Sequence, residues 1–99
     1  MALNPKQTGL VLIEFQNDFT SKGGVFHDAV KGVMDSNQML SNTVAVVEAA
    51  RAAGIQIIYV PIAFTADYHE VSPSPYGIMK GVVDNGAFKK DTWGTEIVD

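Results

Sequence analysis

A single carboxylate interrupts the most apolar stretch of the chain: Glu14 stands between Leu10-Val11-Leu12-Ile13 and Phe15. An acid in such company either turns outward to water or lies in a partly dry pocket, where burial disfavours its charged form and a partner sets its protonation. The second case is the chemistry of a general acid or base. A further group of donors follows at Asp67-Tyr68-His69-Glu70, residue types that ligate divalent metals. His27, the other of two histidines, lies in a different segment. Two strong ligands seldom hold an ion, so Asp67, His69 and Glu70 read as solvated loop residues, and neither a metal nor a cofactor is expected. With zero cysteines, the chain offers no thiol nucleophile, disulfide or thiolate metal site.

The elements that would position Glu14 follow from periodicity. Leu10 to Phe15 is a nearly continuous apolar run, which suits a strand covered on both faces in a parallel sheet. Gln16 to Gly24 is polar, and Gly23-Gly24 suits a turn, so a loop is expected at that strand's C-terminal end. From about Asp35 to Ala53, Leu40, Val44, Val47 and Ala50 recur at helical spacing. Asp35 and Gln38 resemble a capping box at the start, and Gly54 stands where a left-handed C-terminal cap belongs. Ile55 to Val60 is β-branched and aromatic, and Pro61 ends it.

Strand, helix, strand is the βαβ unit, so the predicted class is α/β with parallel strands. Pro61 to Trp93 shows no clean period and is punctuated by Pro73, Pro75, Gly77, Gly81 and Gly86, while Gly94 to Asp99 resembles the opening of another element. One helix on two parallel strands leaves strand edges unpaired and an apolar face open. More strands and helices are therefore expected from a C-terminal portion, a cleaved second chain or partner subunits. On this reading residues 1–99 are the N-terminal portion of one three-layer α/β/α domain.

Composition narrows the function. Of 99 residues, 46% are apolar and 18% charged, too apolar for a disordered tail. A net charge of −4 with seven scattered Lys and Arg argues against a nucleic-acid partner. Leu10 to Ile13 is far too short to span a bilayer, and no stretch of signal-peptide length precedes Glu14, so no membrane partner and a cytoplasmic address are expected. No Gly-x-Gly-x-x-Gly or Gly-x-x-x-x-Gly-Lys motif follows the first strand, which removes the usual phosphate cradles.

The stretch Leu12-Ile13-Glu14-Phe15-Gln16-Asn17-Asp18-Phe19, followed by Gly23-Gly24, resembles the opening of the isochorismatase-like cysteine hydrolases. Similarity continues through Arg51-Ala52-Ala53-Gly54, Ile57-Ile58-Tyr59-Val60 and Thr92-Trp93-Gly94-Thr95-Glu96-Ile97. The resemblance implies a Cys-Lys-acid triad acting on a small amide or an isochorismate-like vinyl ether, with Glu14 at the acid position, where the family more often has Asp. The extra methylene moves the carboxylate outward by about 1.5 Å. The family's lysine and cysteine lie in the C-terminal half, so the chain alone is expected to be inactive and that half is an expected partner. Phe19 aligns with a pocket position, and Phe19 and Trp93 are candidate substrate contacts, with core packing as the alternative role. The resemblance also implies a homo-oligomer, with Tyr76 and Phe88 as possible contacts. A noncatalytic binding or interaction protein that retains the scaffold is the competing reading.

Overall fold

Strands β1 (Gly9–Ile13) and β2 (Gln56–Val60) pair in parallel, from Gly9 beside Gln56 to Ile13 beside Val60. The computed structural model describes residues 2–99. Between the strands lie α1 (Asn17–Thr20), α2 (His27–Ser36) and α3 (Met39–Ala53), and after β2 comes α4 (Gly77–Asn85). Single 3-10 turns occupy Pro5–Gln7 and Trp93–Thr95. The predicted βαβ unit is present, as part of an α/β fold.

Side chains alternate across a strand, so the register divides the sheet into two faces. Leu10, Leu12, Ile57 and Tyr59 share the face covered by α3, whose Leu40, Thr43, Val44 and Val47 line a space against Leu12 and Tyr59. Arg51 of α3 donates to the Tyr59 hydroxyl at 3.0 Å. The opposite face carries Val11, Ile13, Ile58 and Val60, exposed at 46%, 61%, 39% and 40%. Among the described residues no second helical layer covers it.

The predicted single helix from Asp35 is instead two. Helix α2 ends at Ser36, where the Ser36 hydroxyl and the Asn37 side-chain amide both donate to the Val33 carbonyl, which also takes the Asn37 backbone N–H at 3.1 Å. Gln38 takes a left-handed conformation (φ 49°) and α3 starts behind it. The expected capping box does not form: the Asp35 carboxylate pairs with Lys31 one turn earlier, at 2.8 Å. Gly54 does cap α3, at φ 83°, with its N–H directed at the Ala50 and Arg51 carbonyls.

The core lies beyond the sheet, not beneath it. Phe64, Tyr68, Val82, Ala87 and Phe88 form the buried cluster, drawn from the segment after β2, from α4 and from the residues that follow it. The segment Pro61 to Trp93, predicted to be irregular, thus contains both a helix and most of the core. Phe88 is 1% exposed, which removes it from the expected oligomer contacts, whereas Tyr76 stands 87% exposed. Gly94 and Thr95 complete the 3-10 turn begun at Trp93, and no strand or α-helix follows them within residues 96–99. The chain runs back along the end of β1, with Ile97 bridged antiparallel to Gln16 and the Val98 N–H donating to the Phe15 carbonyl at 2.9 Å.

Candidate functional site

Three consecutive polar side chains after β1 are buried and hydrogen-bonded, all but one of their bonds running to the backbone. Gln16 Nε2 donates to the carbonyls of Ile62 (2.7 Å) and Thr95 (2.8 Å), and Gln16 Oε1 accepts the Ile62 N–H (2.9 Å). Asn17 Nδ2 donates to the Trp93 carbonyl at 2.9 Å, while Asn17 Oδ1 accepts the Ser21 hydroxyl at 2.6 Å. The Asp18 carboxylate accepts N–H groups from Val25 (3.1 Å) and Phe88 (2.8 Å). Buried polar groups must be paired, and here the partners, the Ser21 hydroxyl apart, are backbone groups of the segments that meet at the strand ends. Gln16, Asn17 and Asp18 therefore build the floor of the site and keep no free atom for a reacting group.

Glu14 differs from them. Its N–H closes the ladder against the Val60 carbonyl at 2.9 Å, but its carboxylate takes no hydrogen bond and no ion pair from the described residues. Its φ is 62°, the left-handed region, which costs a residue with a Cβ about 1–2 kcal/mol. That backbone ends β1 at Ile13, two residues before the predicted end at Phe15. Glu14 lines a cleft of about 330 Å³ with Ile13, Phe15, Phe19, Thr20, Val30, Met34 and Met39. The cleft opens just beyond the carboxyl end of a parallel strand, where open α/β sheets bind ligands. An uncommitted carboxylate there can take a proton from, or return one to, a group that enters the cleft.

Phe19 reaches this cleft with a second role. Its ring lies 4.9 Å from that of Phe88 and 5.7 Å from that of Phe26, centroid to centroid, so it joins the cleft wall to the core. Core packing and cleft lining are both met in one side chain. Trp93 is half exposed and does not line the cleft; its ring lies beside Gly23, and its carbonyl is held by Asn17. Glu14 and Phe19 are thus brought together and Trp93 is not.

Asp67, His69 and Glu70 converge elsewhere, around the Thr65 hydroxyl, with ligand-type atoms within 4.8 Å of one another and all three side chains exposed. A hydrogen bond from His69 and then one from Thr65 hold the Asp67 carboxyl below its ordinary value, and the Thr65 hydroxyl does the same for Glu70. Nearby in the core, burial and then the Asp18 charge push the Tyr68 phenol upward.

Over nearly the whole chain the sequence fits one family: the isochorismatase domain model matches residues 8–99. The chain belongs to the isochorismatase family. Its relatives include the ureidoacrylate amidohydrolase RutB of Acinetobacter baylyi, 42% identical over 57 residues, which are 58% of this chain and 23% of that protein. The corresponding proteins of Agrobacterium fabrum and Rhizobium rhizogenes are each 31% identical over 70 residues, 71% of this chain and 31% and 28% of theirs. The chain spans less than a third of the length of these curated relatives.

Around the Glu14 cleft, the contribution of α2 is what sequence reasoning missed. Val30 and Met34 stand one helical turn apart and form the wall facing Glu14. The usable signal was the spacing Phe26, Val30, Met34 against exposed Lys31, Gly32 and Asp35, which marks an amphipathic helix before the one predicted. Among the described residues no helix is long and apolar enough to cross a membrane.

Proposed function

We propose that residues 1–99 form the N-terminal part of one hydrolase domain, in which Glu14 is the acid of a Cys-Lys-acid triad and a C-terminal part supplies the lysine and the cysteine. The observation that carries this reading is the state of Glu14: an uncommitted carboxylate on a left-handed backbone, lining a cleft at the carboxyl end of β1. Residues held in sparsely populated backbone conformations cluster at functional sites. The bare face of Val11, Ile13, Ile58 and Val60 supports the two-part reading, because parallel sheets are covered on both faces.

The reaction is hydrolysis of a small amide, the class named for the relatives, in preference to an isochorismate-like vinyl ether. Glu14 takes the proton of the thiol as sulfur attacks the carbonyl carbon. The C–N bond then breaks, the proton passes to the leaving nitrogen, and an acyl-thioester remains. Water, deprotonated by the same carboxylate, adds to the thioester and releases the acid and the free thiol. Removing members of such a unit loses most of what the whole supplies, so the chain without the other two groups is inactive. The exposed Tyr76 and Ile78 beside the start of α4 are a surface for self-association of the assembled protein.

The test joins the chain to its C-terminal part, in one polypeptide or as two, and measures amine or ammonia release from a panel of small amides that includes ureidoacrylate. Turnover that thiol alkylation abolishes supports the reading. Turnover by the 99-residue chain alone, which has no thiol, overturns it. An assembled protein that binds amides and cleaves none leaves the noncatalytic scaffold as the function.

A further inference from the structure

We propose that α2 forms a selectivity wall for the acyl part of the substrate, and that this wall takes a neutral, apolar acyl group and rejects an anionic one. The inference rests on Glu14 acting on an amide in this cleft and adds the substrate class.

The wall is built by Val30 and Met34, with Met39 at the head of α3 and Phe19 from the floor. Each presents hydrocarbon or thioether surface. Thr20 is the one hydroxyl in the lining, and its proton is already donated to the Gln16 carbonyl at 2.9 Å. None of the chain's seven Lys and Arg lines the cleft, and the nearest cation along α2, Lys31, is paired with Asp35. A substrate carboxylate seated against α2 would lose water, gain no donor from this chain's lining and share a space of about 330 Å³ with the Glu14 carboxylate. A propyl or phenyl group loses nothing there and buries apolar surface. The volume is at the low end for ligand sites and has room for an acyl group the size of a benzoyl. The two methionines are unbranched and adaptable, so flat and branched groups are both accommodated.

The experiment compares butyramide, benzamide and succinamate as substrates of the assembled protein, and as ligands by NMR titration when the nucleophilic cysteine is changed to serine. The expected result is a kcat/KM at least tenfold higher for butyramide and benzamide than for succinamate, with binding in the same order. Met34→Lys places a cation in the wall and should shift the succinamate-to-butyramide ratio at least tenfold toward succinamate, while Met34→Leu keeps the original order. A surface-helix change that merely loosened the fold would lower all three substrates together and leave the ratio unmoved. Equal or better use of succinamate by the unaltered protein, or a ratio indifferent to Met34→Lys, overturns the selectivity wall while leaving Glu14 chemistry intact. Absence of turnover on every amide counts against the hydrolase reading, and the titration then decides the wall on its own: tighter binding of succinamate than of butyramide rejects it.

Discussion

Gln16 and Ile62, 46 residues apart, are joined by a reciprocal pair of bonds in which the Gln16 amide donates to the Ile62 carbonyl and accepts the Ile62 N–H. The side chain thereby imitates a short piece of strand at the point where the backbone of β1 has turned away at Glu14. Replacing it with leucine keeps the volume and leaves three backbone groups, at Ile62 and Thr95, without partners. An unpaired buried group costs about 1–3 kcal/mol, so Gln16→Leu should destabilise the assembled protein by about 3 kcal/mol. The urea midpoint measures this, and an unchanged midpoint would show that water replaces the clamp at no cost.

Two glycines should respond to alanine in opposite directions. A Cβ at Gly94 would lie 2.3 Å from Asp18 Oδ2, inside the pair of bonds by which Asp18 holds Val25 and Phe88. Gly94→Ala must displace one of these segments, an overpacking cost of about 1–3 kcal/mol. A Cβ at Gly32, in the interior of α2, meets nothing within 4 Å. Gly32→Ala should stabilise by about 0.5–1 kcal/mol through helix propensity and a less flexible unfolded chain. Thermal melts of the two variants should bracket the parent.

At position 14 charge and length separate. Glu14→Gln keeps the shape and removes the proton acceptor, and on the proposed reading it lowers kcat by about 100-fold or more with the fold unchanged. Glu14→Asp restores the acid, and the left-handed region tolerates Asp better than most residues, so its backbone is accommodated. Its activity should exceed that of the amide variant. Equal turnover by the parent and Glu14→Gln would remove Glu14 from the chemistry.

The Thr65 hub predicts a pH response. Asp67 and Glu70 are both held below their ordinary values of 3.8 and 4.5. Carboxyls depressed by folding add stability that is present above those values and is lost as pH falls through the lowered ones. Carboxyl carbon shifts of both residues should therefore titrate below 3.8 and 4.5, and the Thr65 N–H bond to Glu70 should persist down to that range. Thr65→Val removes the leading cause at Glu70 and should raise its titration point. Glu70 titrating at its ordinary value in the parent would dissolve the hub.

The parts legible in the sequence were those set by short-range pattern. Leu10 to Ile13 and Ile57 to Val60 announce parallel strands by composition, although one face of the pair is exposed, and Gly54 announces the end of α3 because few other residues adopt its φ cheaply. The break before α3 was hidden because it lies in the left-handed backbone of Gln38, a conformation that glutamine does not announce, while the hydrophobic spacing runs through it. Helix α4 was masked by Gly77, Gly81 and Gly86, although Ile78, Met79, Val82 and Val83 carry a helical stripe. Within the site, Glu14 was visible as a charge in apolar company. The roles of Gln16, Asn17 and Asp18 were not, since most of their partners lie 46 to 79 residues away, with only Ser21 and Val25 nearer, and no local rule names them.

The uncovered side of the β1–β2 sheet has a practical corollary for anyone producing this polypeptide by itself. Four β-branched side chains in register, with no further strand among the described residues on the outer side of either β1 or β2, form a template onto which an identical molecule can stack. Light scattering that grows with concentration, and disappears when the C-terminal part is co-expressed, would be the symptom. A lysine at Val11 or Ile58 would be the remedy for solubility, at the expense of whatever that surface is meant to receive.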